Sequence, residues 1–145
     1  MTAPQRSLYL ESMQQFTVEQ ANRTLPLVRR IVEDVVKQHR RWREVILELD
    51  LVGSTARPDD PRDRAEQLER DAQALARELD GYQRELEALG IQLKDRRLGL
   101  VDFPSDIGGR HVLLCWRFGE PEVQFWHEVD SGFAGRQPLF PELVG

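Results

Sequence analysis

The sequence predicts an α+β fold, a long antiparallel α-hairpin of coiled-coil-like character followed by a small antiparallel β-meander. Three observations predict it. Apolar residues recur at steps of three and four between residues 17 and 89. The period falls to two from residue 91 onward, and Gly90 stands at the change as a helix-ending glycine. A length of 145 residues suits one domain with its own core. That domain is expected over 16–145, with residues 1–15 as a loose lead-in, the helical hairpin over 17–89, and the meander and C-terminal loop over 91–145.

The first helix opens at Phe16-Thr17-Val18-Glu19-Gln20. Thr17 can accept from the amide three residues on while Gln20 reaches back to the Thr17 amide. Pro26 lies too deep for a first-turn proline, so a short helix to Arg23 and then a break or kink are expected, with a long helix starting near Leu25. Val28, Ile31, Val32, Val35, Trp42, Val45, Ile46 and Leu49 form its apolar face, and it should end before Gly53. The stretch from Gly53 to Pro61 collects turn formers and two prolines and reads as a surface loop open to proteolysis. Beyond it, Ala65, Leu68, Ala72, Leu75, Leu79, Tyr82, Leu86 and Leu89 step by three and four without a fault, as in a coiled-coil seam. Glu66 with Arg70 and Asp80 with Arg84 are spaced as i, i+4 ion pairs. Gly81 inside this helix calls for compensation by close approach of the partner helix. Two such helices fold back into a rod of roughly 40 Å.

In the second half, 91–93 form a short strand or extended lead, and 98–103 form a strand ended by Pro104. Gly108-Gly109 turns into a strand over 110–118, and the Gly119–Glu122 stretch turns that strand into one over 123–129. Alternation places Val112, Leu114, Trp116 and Phe118 on one face. Pairing Phe118 with Val123 sets Trp116 opposite Phe125 and Leu114 opposite His127. In that register Cys115 and His127 point to opposite faces, which counts against a Cys-His nucleophile or metal pair.

Composition excludes several classes. Twenty basic against twenty-five acidic residues give a net charge of -5, which argues against nucleic acid as a partner. No membrane-length apolar run and no secretory leader pattern occur, so a cytoplasmic protein with no membrane partner is expected. One cysteine excludes an intrachain disulfide and any multi-cysteine zinc motif. GxxxxGK[ST], HExxH, GxSxG and CxxC are all missing. No metal and no cofactor are expected.

The residues left to carry chemistry have two readings each. His39 interrupts an apolar helix face, where it is either a half-exposed histidine or a ligand lacking a neighbouring donor. The arginines around Trp42 read as a solvated charged face rather than a nucleic-acid contact. Cys115 reads as a small hydrophobe. His127 occupies an apolar-face position, so it is either satisfied by backbone or carboxylate, or is a ligand or catalytic group. The loop Gly132-Phe133-Ala134-Gly135-Arg136 could form an amide nest for an anion, with Arg136 as the charge, or Arg136 could pin the tail.

FTVEQANRTLPLVR, LGLVDFPS and LCWRFGEPEVQFWHEVDSGFAGRQPL together resemble an uncharacterised prokaryotic family known as domain of unknown function 2203, over residues 16–139. The resemblance draws attention to Asp102, Phe103, Pro104, Cys115, Trp116, Gly119, Glu120, Trp126, His127, Gly132, Phe133, Gly135 and Arg136. It implies no activity, cofactor or ligand. Two functions therefore stay open. One is a non-enzymatic interaction protein, a homo-oligomer through its α-hairpin, presenting the sheet and Gly-rich loop to a partner. The other is an enzyme or a binder of a small anionic ligand, with a site drawn from Asp102, Trp126, His127, Glu128, Gly135 and Arg136.

Overall fold

Two long helices precede a five-stranded antiparallel sheet, an α+β arrangement as predicted. The structure, a computed structural model, describes residues 15–54 and 61–140. The expected lead-in, save Gln15, and most of the connection expected to be open to proteolysis lie outside the described residues.

Helix α1 spans Val18–Ser54 and is entered through the predicted capping box. The Gln20 amide donates to Thr17 Oγ1 and the Thr17 amide to Gln20 Oε1, both at 3.0 Å. The expected break does not occur: α1 runs unbroken through Pro26 and past Gly53. A proline inside a helix costs about 3 kcal/mol. Packing on either side outweighs it, because Ala21, Leu25 and Val28 are all buried and a buried Leu or Val contributes about 1.5–3 kcal/mol. Thirty-seven residues make α1 about 55 Å long, more than the expected rod.

Helix α2, Pro61–Ala88, returns antiparallel. Near the connection Arg64 pairs with Glu48, and Leu68 and Ala72 pack on Val45. At the other end Leu86 joins Ala21, Leu25 and Val28 in the main core. Two local expectations are corrected. Asp80 pairs with Arg96 at 3.0 Å, and Arg70 bonds Gln67 at 2.9 Å, because these partners lie closer than the i, i+4 ones. A Cβ on Gly81 would meet nothing within 4 Å, so no close helix approach explains that glycine.

Strands β1 (Gln92–Asp95), β2 (Leu100–Ile107), β3 (Arg110–Arg117), β4 (Phe125–Glu128) and β5 (Gln137–Pro138) lie side by side in chain order. β2 continues through Pro104 instead of ending there. The Pro104 carbonyl accepts from the Phe16 amide at 2.7 Å, on the side away from β3. In an antiparallel strand the missing N–H would point the same way, so no bond to β3 is lost. Gly108 and Gly109, at φ 61° and 78°, form the predicted two-residue turn into β3.

The predicted β3–β4 register is wrong by one residue. Cys115 faces Phe125, Leu114 faces Trp126 and Leu113 faces His127. Side chains alternate with a period of two, so this slip turns all of β4 over. The cause is one long-range tie together with a local one. Val123 is taken out of the hairpin by Asn22 of α1, whose Oδ1 accepts from the Val123 amide at 2.7 Å. Glu120 accepts from the Arg117 amide through Oε1 at 2.7 Å, and its carbonyl accepts from Trp116 Nε1 at 3.1 Å. The connection is thus a loop moored to α1 and to the end of β3, not a tight turn.

Val101, Phe103, Leu114, Trp116 and Trp126 face the helices in the main core. Leu100, Asp102, Leu113, Cys115 and His127 alternate with them on the opposite face, and all five are buried. What buries them is the chain after β4. It crosses that face as residues 129–133, makes a 3-10 turn at Phe133–Gly135, and adds β5 alongside β4.

Candidate functional site

The two-residue turn at Gly108-Gly109 sets Asp102 opposite Cys115, and the observed β3–β4 register brings His127 diagonally beside them. The expectation that Cys115 and His127 point apart is therefore overturned. One ligand-type atom from each of Asp102, Cys115 and His127 lies within 4.8 Å of the other two, and all three residues are buried.

Hydrogen bonds fix the protons of this group. His127 Nδ1 lies 2.7 Å from the Glu128 carbonyl oxygen, which can only accept, so Nδ1 carries a proton. His127 Nε2 lies 3.0 Å from Asp102 Oδ1, and a second proton sits between them. Burial works against charge on His127. The Asp102 hydrogen bond, the Glu128 carbonyl and the Asp102 charge outweigh it and raise the imidazole above its ordinary value of 6.5. Burial first, and the Asp102 charge second, push the Cys115 thiol up to about 12. As it stands Cys115 is a protonated thiol and no nucleophile.

Beside Asp102 and His127 lies a cavity of about 290 Å³. Leu100, Leu113, Val129 and Phe133 give it apolar walls, and Lys94 of β1 stands in its lining. Lys94 makes no ion pair among the described residues.

The other residues expected at a site lie elsewhere. Trp126 packs into the core on the helix-facing side. The Glu128 carboxylate pairs with Arg110, and only its carbonyl reaches His127. Arg136 donates from Nη1 and Nη2 to the two oxygens of Glu120 at 2.9 and 2.8 Å, and from Nη2 to the Cys115 carbonyl at 3.3 Å. Its guanidinium stacks 3.8 Å over the Phe125 ring. The amides of Gly135 and Arg136 donate to the Gly132 and Phe133 carbonyls, so the expected nest spends both on its own turn.

The DUF2203 model, described as an uncharacterized conserved protein, matches residues 14–139. The chain belongs to this family. No curated protein and no solved structure matches the chain. Within this DUF2203 chain, reasoning from sequence missed Cys115 as a partner of Asp102 and passed over Lys94. The Gly108-Gly109 turn was the available signal for the first, because a two-residue hairpin fixes the 102–115 pairing. No helix of the described residues is long and apolar enough to cross a membrane.

Proposed function

We propose that this protein holds a divalent transition-metal ion of the zinc class through Asp102, Cys115 and His127, and that the ion presents its open position to a small anionic molecule in the adjoining cavity. The convergence of these three donors carries the reading. Tetrahedral zinc ligands stand roughly 3.3–3.7 Å apart, so side chains whose donor atoms already lie within 4.8 Å of one another would need to close by about 1.5 Å at most. Mixed thiolate, imidazole and carboxylate donors favour zinc over magnesium or calcium. His127 Nδ1 donating to a backbone carbonyl is the outer-shell bond that aims Nε2 at a metal. Charge also balances. The ion would displace one proton from the Cys115 thiol and one from between Asp102 and His127, leaving the buried cluster's net charge unchanged. Lys94 and the metal would together hold the anion.

Cobalt(II) titration of metal-stripped protein tests this. A tetrahedral cobalt spectrum with a thiolate charge-transfer band is expected. Cys115→Ser should remove the band, and His127→Gln should weaken binding by at least about the 10–100-fold that losing an outer-shell partner costs. A featureless titration, or binding indifferent to both substitutions, rejects the site and leaves a hydrogen-bonded structural cluster.

A second reading rests on a separate observation. Leu47 and Leu51, one turn apart on α1, are 62% and 63% exposed. Among the described residues, they lie on the part of the hairpin whose own core cluster, around Val45, Leu68 and Ala72, draws only on the two helices. Such a surface suits self-association into a four-helix arrangement. Light scattering should give a multiple of the 16.8 kDa chain mass, reduced to the monomer by Leu47→Glu with Leu51→Glu. A monomeric wild type retires this reading.

A further inference from the structure

On the side of the molecule where α1 passes the β1–β2 turn and the end of β3, a second cavity of about 390 Å³ is lined by His39, Arg40, Arg43, Arg97 and Arg117. Val36 and Leu98 add apolar lining. The arginines come from three separate segments, and the packing that joins them is tight. Gly99, at φ 67°, lies so close to α1 that a Cβ would stand 2.8 Å from Val32 Cγ1 and 2.9 Å from Val36 Cγ2. Its carbonyl accepts from the Phe118 amide at 2.9 Å, which holds the neighbour of Arg117 beside the turn. Asp95 Oδ1 accepts from the amides of Arg97 and Leu98, both at 2.9 Å. The turn is therefore ordered without using the Arg97 guanidinium.

Arg23, Arg41, Arg64, Arg96, Arg110 and Arg136 each pair with a carboxylate. Among the described residues, none of Arg40, Arg43, Arg97 and Arg117 does. Acidic residues outnumber basic ones in this chain. The Asp95 carboxylate also acts on His39, but its Oδ1 is taken up by the Arg97 and Leu98 amides, so four guanidiniums gathered on one cavity still leave a local excess of positive charge. His39 stacks on Trp42, with ring centroids 5.8 Å apart, and this contact holds the imidazole at the cavity wall.

We propose that this arginine-lined cavity binds a small molecule carrying a diphosphate group. Guanidinium forks match phosphate oxygens in charge and geometry. A single phosphoryl group brings a charge of only about -1.5 to -2, which four guanidiniums exceed, so two linked phosphoryl groups fit the charge better. The volume lies at the small end of the range for small-molecule sites, roughly 300–1,000 Å³, and suits a compact ligand rather than a polymer. The site is independent of the Asp102–Cys115–His127 cluster and stands whether or not that cluster takes a metal.

Calorimetric titration of metal-stripped protein with inorganic pyrophosphate at low salt is the test, since stripping removes binding through an ion. Pyrophosphate should bind more tightly than orthophosphate and weaken as salt rises. Arg97→Gln and Arg117→Gln should each weaken it at least about tenfold, the worth of one charge-assisted hydrogen bond. Both residues are exposed, so thermal melts should show the variants folded. Arg97→Lys should recover part of the loss, while Arg84→Gln and His127→Gln should leave pyrophosphate affinity unchanged. No heat of binding, binding indifferent to Arg97→Gln and Arg117→Gln, or affinity for an RNA oligomer without affinity for pyrophosphate overturns the proposal.

Discussion

Arg136 and Glu120 form a two-point bridge, at 2.8 and 2.9 Å, between the chain that covers the outer sheet face and the loop that joins β3 to β4. Both side chains are at most 20% exposed, so solvent screens the pair little. Glu120 also accepts from the Arg117 amide, which makes the carboxylate a junction of three segments. Arg136→Ala should therefore leave a part-buried carboxylate without its partner and cost about 2–4 kcal/mol. Arg136→Lys should fall between, because it keeps the charge and loses the planar fork. Urea unfolding checks both, and an unchanged midpoint for Arg136→Ala would show that the cover is held by something else.

On α2, two neighbouring substitutions should move stability in opposite directions. Leu79 is 1% exposed, so Leu79→Ala should cost about 2–5 kcal/mol through lost burial and a cavity. Two residues on, a Cβ at Gly81 would meet nothing within 4 Å. Gly81→Ala should then stabilise by about 0.5–1 kcal/mol through helix propensity alone. Thermal melts of the two variants beside the wild type decide. A destabilised Gly81→Ala would reveal a contact at that face.

Gly99 allows no such substitution. Its φ of 67° already disfavours a side chain, and an added Cβ would also stand 2.7 Å from Phe118 Cβ, with two valines of α1 almost as near. Strain and overpacking together should cost about 2–4 kcal/mol for Gly99→Ala. Because the same approach seats Arg97 and Arg117 by α1, the variant should also lose pyrophosphate affinity at temperatures where it remains folded. Retained affinity would separate the cavity from the packing beneath it.

Much of the architecture was legible because it is written in local periods. The α2 seam, the Thr17–Gln20 box and the Gly108-Gly109 turn each rest on residues a few positions apart. Failures came where a distant contact decides. Pro26 reads as a helix breaker until the burial of Leu25 and Val28 is known, and that burial depends on the sheet. The β4 register turned on Asn22 reaching Val123 across 101 positions, which no periodicity records. Two of the three members of the candidate metal cluster were nonetheless within reach, since Gly108-Gly109 alone aligns Asp102 with Cys115. His127 was not, because one slipped residue moved it to the other face. The arginine cavity was illegible for the same reason, its members lying on α1, a turn and a strand end.

The Asp102–His127 pair should make metal-stripped protein lose stability as pH rises. His127 has a folded value raised above its ordinary 6.5, with the Asp102 hydrogen bond as the largest cause acting upward against burial. A group raised on folding contributes its full stabilisation below its unfolded value. That contribution is lost as pH climbs through the folded value, because the native state then surrenders a proton that it had held more tightly than the unfolded chain. The melting temperature of the wild type, referred to that of His127→Gln at each pH, should therefore be highest below about 6.5 and decline above it. Zinc should reverse the sign. Metal binding releases protons from Cys115 and His127, so the stabilisation by added zinc should grow with pH. A difference curve that is flat without metal would remove the shared proton from the site. One that falls with pH even in saturating zinc would show that the ion does not reach His127.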